Sequence, residues 1–495
     1  MTGKQNIIII KTDQQRFDTL GCMGHLTVKT PSLDALAADG VRFDNAYCVS
    51  PLCVPSRTSF FTGKYVHRTG NVSNGMCHHI HPENGCLLDI LKDDGYKLAL
   101  TGKNHAFDDE YLERNFVCRE EYSHWGKTHG HISYSDRKVA EWLGAENRFL
   151  HAADGELGRM EGLIDEVMPF SEELCPTYRI AVDAIAFLDS AAQDDAPFML
   201  HCSFPEPHWP NVICEPWYSM YGSDEIELEE FDHAWENKPF AHWVQSRAYD
   251  SHLYSKDEVK RIVATYLAQI SFIDKAVGMI LERLKQLGMY EDSIVVFCSD
   301  HGDYAGRYGL VAKTKAFYDS LIRIPLLMKF PVLDNGTVQA ELSNIDILPT
   351  VLDYLGYDLP ITVQGRSFLP VLTGESETHR NEIFAEVGSP GTPPPPLSQE
   401  EFAVFQRQQE SERGVFWFCD YTVFGRAVMI RKDNWKYCYY VGDRDELYDL
   451  SSDPMELNNL ADDPLFSPKK ADLKARLIAC LGKLPTEYDP VIVKS

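Results

Sequence analysis

Along most of this chain, short β-branched runs bounded by polar residues alternate with stretches of helical period. Parallel strands need helical crossovers between them, and the crossovers cover both faces of the sheet. The alternation therefore predicts an α/β fold, with a large, mostly parallel central sheet flanked by helices. Strands are expected over Asn6–Lys11, Tyr96–Thr101, Phe198–Phe204, Ser293–Cys298 and Ile324–Phe330. One helix should open at Thr30-Pro31 and run through Ala38 to a stop at Gly40, and a second should span Glu83–Asp94 before Gly95. Ser255-Lys256-Asp257-Glu258 matches a capping box, and the helix it starts should reach Leu287.

From Phe107 to Met168 the pattern is less regular and rich in His, Trp and Tyr, which reads as an insertion over one end of the sheet. Gly388–Leu397 contains four successive prolines, so it is expected to be an exposed loop. Val415–Val423, Ala427–Arg431 and Trp435–Val441 look like antiparallel strands, and a closing helix should cover Lys469–Leu481. No internal repeat is evident. The organisation expected is an α/β domain over residues 1–375 and a smaller C-terminal α+β domain, carrying an antiparallel sheet, over 376–495.

Asp and Glu number 74 against 47 Lys and Arg, a formal net charge of −27. Such a surface repels phosphate backbones, which argues against nucleic acid as a partner. An anionic substrate would need a local pocket that inverts the field. The thirteen cysteines include no C-x-x-C pair, and several lie in apolar runs where a thiol acts as a small hydrophobe. Free thiols suit a reducing compartment. Ile7–Ile10 is too short for the apolar core of a signal peptide, and no apolar run approaches membrane-spanning length. A cytoplasmic location with no membrane partner is expected.

Chemistry-bearing residues gather at strand ends, where open α/β sheets bind ligands. Asp13-Gln14 follows the first strand. An isolated Asp there would more often be a polar turn, but Ser299-Asp300-His301-Gly302-Asp303 repeats the arrangement after another strand. Two strand ends, each offering a carboxylate and a neutral ligand, point to one shared divalent cation. Between them Cys53 stands before a short helix ended by Gly63. Taken bare, it is either buried filler or a thiol activated by a helix N-terminus.

Cys53-Val54-Pro55-Ser56-Arg57, followed by Thr62-Gly63, resembles the C-x-P-S-R signature of the type I sulfatases in the alkaline phosphatase superfamily. Further segments resemble that family in its own order: Asp13-Gln14-Gln15-Arg16, Thr101-Gly102-Lys103-Asn104-His105, Pro207-His208-Trp209-Pro210 and Ser299–Asp303. Lys313 ahead of Phe317-Tyr318-Asp319, Asn344–Thr350, and Glu446–Leu450 with Asn459-Leu460 extend the match over nearly the whole chain. The chain departs from the commonest pattern at Gln14, where a second Asp is usual, at Asn104 in place of Trp, and at Arg307-Tyr308. His301 stands where many members carry Asn. These departures bear on substrate choice more than on the metal.

The resemblance implies an alkaline phosphatase-like fold and a sulfuric ester hydrolase. Cys53 would be converted to formylglycine by a maturation enzyme, and its hydrate would attack sulfur. Asp13, Gln14, residue 53, Asp300 and His301 would hold one divalent cation, most simply Ca2+, with Mn2+ or Mg2+ the alternatives. Arg57 would hold the diol, and Lys103 and Lys313 would flank the sulfate. His208 would protonate the leaving oxygen, with Lys313 as the other candidate donor. His105 would take a proton from the second hydroxyl. Asn74, with Asn71 beside it, and Arg307 are candidate substrate-binding residues. The substrate class is a sulfate ester of a small molecule or oligosaccharide. Phosphonate monoester or phosphodiester hydrolysis is the near rival, and a non-catalytic sulfate-binding relative the distant one. The sequence leaves a homo-oligomer open. His78, His79 and His81 read as lining a loop near the site mouth rather than a second metal, and Trp209, Trp217, Trp235 and Trp243 as core more than as a sugar platform.

Overall fold

The computed structural model describes residues 4–74, 79–144, 166–232, 237–239, 242, 251, 254–388, 426–482 and 484–485. The strands in chain order begin with β1 (Asn6–Asp13), β2 (Val41–Tyr47), β3 (Lys97–Gly102), β4 (Phe116–Ser123) and β5 (Gly126–Lys127). They continue with β6 (Glu166–Met168), β7 (Phe198–Pro207), β8 (Val212–Cys214), β9 (Ser293–Ser299), β10 (Arg323–Lys329), β11 (Gly336–Val338) and β12 (Leu342–Ser343). The last four are β13 (Ile383–Val387), β14 (Ala427–Lys432), β15 (Trp435–Tyr440) and β16 (Glu446–Asp449).

The main sheet has the order β11-β2-β10-β9-β1-β7-β3-β4-β5, with β12 also on β2. Its centre, β9-β1-β7-β3-β4, is entirely parallel, and β10 and β5 pair antiparallel. Ile7 to Ile10 of β1 are fully buried, with Ile8 and Ile10 in one core cluster and Ile7 and Ile9 in the other. That is the two-residue period of a strand buried on both faces. The helices Pro176–Ala191 and Lys256–Gln286 cover the first face. Ser255 caps the second of these as expected, its side chain accepting from the Glu258 amide. By length and composition Lys256–Gln286 could cross a membrane, contrary to the sequence expectation, but 83% of its apolar window is buried against this sheet.

Two sequence expectations need correction. Glu83–Asp94 is not one helix: a single turn at Pro82–Asn84 ends at Gly85, whose φ is +64°, and the helix proper is Leu88–Asp93. Phe107–Met168 is more than an insertion, because β4 pairs in parallel with β3 and extends the main sheet. The second sheet, β13-β14-β15-β16, is antiparallel throughout. One of its faces joins the main core through Ile383, Ala385, Met429 and Cys438. The other packs Val428, Ile430 and Tyr437 with Leu473 and Leu477 of the Ser467–Leu481 helix. Val415–Val423 and nearly all of Gly388–Leu397 lie outside the described residues.

Candidate active site

β1 and β9 run parallel in a register that sets Thr12 opposite Ser299, so Asp13 and Asp300 emerge side by side. Gln14 follows with φ +66°, a left-handed backbone that a non-glycine residue adopts at a cost. In that turn its amide donates to Asp300 Oδ1 at 3.0 Å. The Gln14 side chain is held from both ends: Nε2 donates to Asp303 and Oε1 accepts from Lys313 Nζ at 2.7 Å. Burial pushes the Asp303 carboxyl up to about 6. His301 Nδ1 lies 2.9 Å from the Gly302 carbonyl, which turns Nε2 toward Cys53 Sγ at 3.2 Å.

Cys53 is the first residue of the helix Cys53–Thr62, all ten of whose residues are buried. Gly63 ends it with φ +63°. Ligand atoms of Asp13, Cys53, Asp300 and His301 all lie within 4.8 Å of one another, the only such acid, Cys and His grouping among the described residues. A divalent cation fits this set, with hard oxygens, one imidazole and a carbonyl-fixed ring orientation.

Three cations crowd the two carboxylates. Arg57, one turn along the helix, reaches Asp300 at 2.7 Å, Asp13 at 3.2 Å and Ser203 Oγ at 2.8 Å, and is fully buried. In this arrangement its fork engages the two carboxylates and Ser203. Lys103 pairs with Asp13, and Lys313 reaches Cys53 Sγ at 3.2 Å. Burial would push the Asp13 carboxyl up, but Lys103, Arg57 and Lys313 outweigh it and hold the group well below the usual carboxylate range. Burial and Asp13 likewise push the Cys53 thiol up, and Lys313, Lys103 and His301 bring it below its ordinary value. Two carboxylates against three buried cations give the locally positive pocket that an anionic substrate requires on so acidic a protein.

Lys103 and His105 leave β3 through Gly102, where φ is +107° and a Cβ would meet the Ser203 carbonyl at 1.9 Å. Only glycine lets β3 and β7 approach so closely. Burial, then Lys103 and Arg57, hold the His105 imidazole well below its ordinary value. His208 follows β7 with Nδ1 2.6 Å from the Trp209 carbonyl, and burial, with the charge of Lys313 beside it, holds its imidazole well below the ordinary value. Asn74 Oδ1 accepts from the Val54 amide at 3.1 Å and its Nδ2 lies 3.9 Å from Cys53 Sγ, so it joins the site. Arg307 is engaged elsewhere, at 2.8 Å from Glu229 and 3.4 Å from Asp18.

Asn71 donates to the His79 carbonyl at 2.9 Å. The rings of His79 and His81 lie 5.8 Å apart, and His78 falls outside the described residues. Trp217, half-buried, stacks on Phe272 at the edge of the core. Trp235 and Trp243 fall outside the described residues.

Three residues were missed by the sequence reading. His124, in the turn between β4 and β5, lies 2.7 Å from Lys103 Nζ and stacks on His208 with centroids 3.9 Å apart. Glu206, two residues before His208, has its carboxyl pushed up to about 7 by burial. Asp303 was read as part of a motif without a role. Its position three residues after Asp300 is the one sequence signal that could have found it.

The sulfatase family model matches residues 5–357. Over 493 residues the chain is 27% identical to an uncharacterised sulfatase of Escherichia coli (strain K12), covering 97% of this chain and 88% of that protein. It is 28% identical over 492 residues to a choline-sulfatase of Rhizobium meliloti (strain 1021), covering 96% and 86%. Among solved structures, the phosphonate monoester hydrolase of Agrobacterium radiobacter shares the fold with a TM-score of 0.75 at 24% identity, over 96% of this chain and 95% of that one.

Proposed function

The chain belongs to the sulfatase family of sulfuric ester hydrolases, and on that premise we propose that it cleaves the sulfate ester of a small molecule or sugar, using a formylglycine made from Cys53 and one divalent cation. The observation that carries this reading is the convergence of Asp13, Cys53, Asp300 and His301 beneath Arg57, Lys103 and Lys313. Asp13, Gln14, Asp300 and His301 would hold the cation, Ca2+ by the oxygen-rich donor set and Mn2+ or Mg2+ otherwise. The cation would supply Lewis acidity, and formylglycine at position 53 the attacking hydroxyl.

The chain's own side chains supply the remaining functions. Lys103 and Lys313 bind the sulfate oxygens and neutralise the charge that grows on them as the S–O bond breaks. Arg57 locks Asp13 and Asp300 in place, so the two carboxylates cannot spring apart. His208, its Nδ1 tied to the Trp209 carbonyl, keeps Nε2 for the leaving oxygen. It is neutral in the free protein and gains its proton when the ester's negative charge enters the pocket; Lys313 is the alternative donor. His105, also neutral, would take the proton of the second hydroxyl at residue 53 as sulfate departs. The choline-sulfatase relative supports a small sulfated substrate. The reading includes a cytoplasmic location, which cell fractionation checks.

The test is a paired rate comparison on cation-loaded protein with formylglycine verified by mass at position 53. An aryl sulfate and an aryl phosphonate monoester with one leaving group are compared, with Cys53→Ala as blank. A much larger kcat/KM for the sulfate is expected. Preference for the phosphonate would move the assignment to phosphoryl transfer on the same fold, because both transition states offer anionic oxygens to the same cations.

A further inference from the structure

β4 and β5 form a hairpin whose register, Ser123 opposite Gly126, leaves a two-residue loop, His124-Trp125. The hairpin is pinned to the sheet and to the helix beneath it. β4 pairs with β3 up to Gly102, opposite Glu121. Tyr122 donates to Asp183 at 2.7 Å, and Lys127 bridges Asp183 at 2.8 Å and Glu120 at 2.7 Å. His124 is thereby delivered to the site by a rigid element.

An ammonium has no lone pair, so at 2.7 Å His124 Nε2 must accept from Lys103. That leaves the proton of a neutral imidazole on Nδ1. Of the three Lys103 N–H bonds, one then serves Asp13, one His124, and the third remains for a sulfate oxygen. The same ring lies nearly parallel to His208, at 3.9 Å and 21°. In its plane His208 is fixed by the Trp209 carbonyl, and across its face by His124. A neutral ring at that distance tolerates an imidazolium beside it where a second cation would not.

We propose that His124 is a positioning residue of the hydrolysis, a single neutral imidazole that orients Lys103 through a hydrogen bond and His208 through stacking. No segment that resembles the family's motifs contains it, and the inference rests on the functional reading above. Its two actions are separable by substitution. His124→Phe keeps a ring for His208 but offers Lys103 no acceptor. His124→Gln keeps an acceptor but removes the ring.

Two measurements need no turnover. Ring 15N spectra of the full-length, calcium-loaded protein should show His124 unprotonated at Nε2. Calorimetric titration of inorganic sulfate into calcium-loaded Cys53→Ala should show at least a tenfold weaker affinity once His124→Phe is added, and a change within about threefold with His124→Gln. On matured enzyme, His124→Gln should displace the pH profile of kcat for the aryl sulfate by at least half a unit, whereas His124→Phe lowers kcat without displacing it. An Nε2-protonated His124, or sulfate affinity and pH profile unchanged in both folded variants, would overturn the proposal. If the unsubstituted enzyme turned over neither ester, the functional reading would fail by itself, and the spectra and the sulfate titration would still decide the role of His124.

Discussion

On one side of the site the carboxylates Asp13 and Asp300 stand at the ends of neighbouring parallel strands, and the register of β1 on β9 brings them together. On the other, Lys103, His105, His124 and His208 arrive from three separate connections, after β3, between β4 and β5, and after β7. The first side is local and over-determined, because Arg57 ties both carboxylates to the helix that bears Cys53. The second depends on how closely β3, β7 and the β4–β5 hairpin are held. Removing a group from the first side should therefore disturb fold and chemistry together, and from the second chiefly chemistry.

The largest effect is expected for Asp13→Ala. It leaves Arg57 and Lys103 buried without a shared counter-charge, a class of change that costs about 3–5 kcal/mol. Turnover should fall to the Cys53→Ala background, and calorimetry should show a clear loss of melting temperature. Lys103→Ala comes next, with kcat for the aryl sulfate lowered roughly 10²–10³-fold, the scale of losing one charge-stabilising donor. Its melting temperature should fall less, because Asp13 keeps Arg57 at 3.2 Å. Equal thermal losses in the two variants would break the contrast between the sides.

A smaller effect is expected at Asp303, which orients the Gln14 amide. Asp303→Ala should weaken Ca2+ binding about 10–100-fold by titration, the usual scale for groups that orient ligands. Unchanged affinity would mean that the Gln14 turn needs no such support.

The smallest concerns Glu206, whose carboxyl burial pushes up to about 7. A carboxyl raised in the folded state contributes its stability fully below the unfolded value of about 4, and that contribution is lost as pH rises through about 7. Glu206→Gln should therefore melt roughly 1–3 °C above the parent at pH 8, with the advantage shrinking toward pH 5. An advantage that did not shrink would show that the residue acts through packing.

The same division explains what could be read in advance. The carboxylate side was legible because its residues stand directly after β-branched strands, and a strand end has one place to go in a parallel sheet. The capping box at Ser255 was legible for a similar local reason. Lys103, His105 and His208 were legible only through resemblance, since a lone loop histidine has no pattern of its own. His124 was not legible at all. Its stretch lacks a period, and its place follows from β4 pairing with β3, a contact no local pattern announces. The ion pairs of Arg307 were hidden for a related reason: its partners, Glu229 and Asp18, are distant in sequence, so nothing local shows that its charge is engaged.

The buried cationic pocket has a kinetic consequence on a molecule with a net charge of −27. An anionic ester approaching from afar meets repulsion first and the attraction of Lys103 and Lys313 only at short range. At 0.01 M ionic strength fields reach about 30 Å, and at 0.15 M about 8 Å. Moderate salt therefore strips away the long-range repulsion while leaving buried contacts almost untouched. Capture of substrate should quicken as salt is added, the reverse of what a basic surface that steers anions by long-range attraction would show.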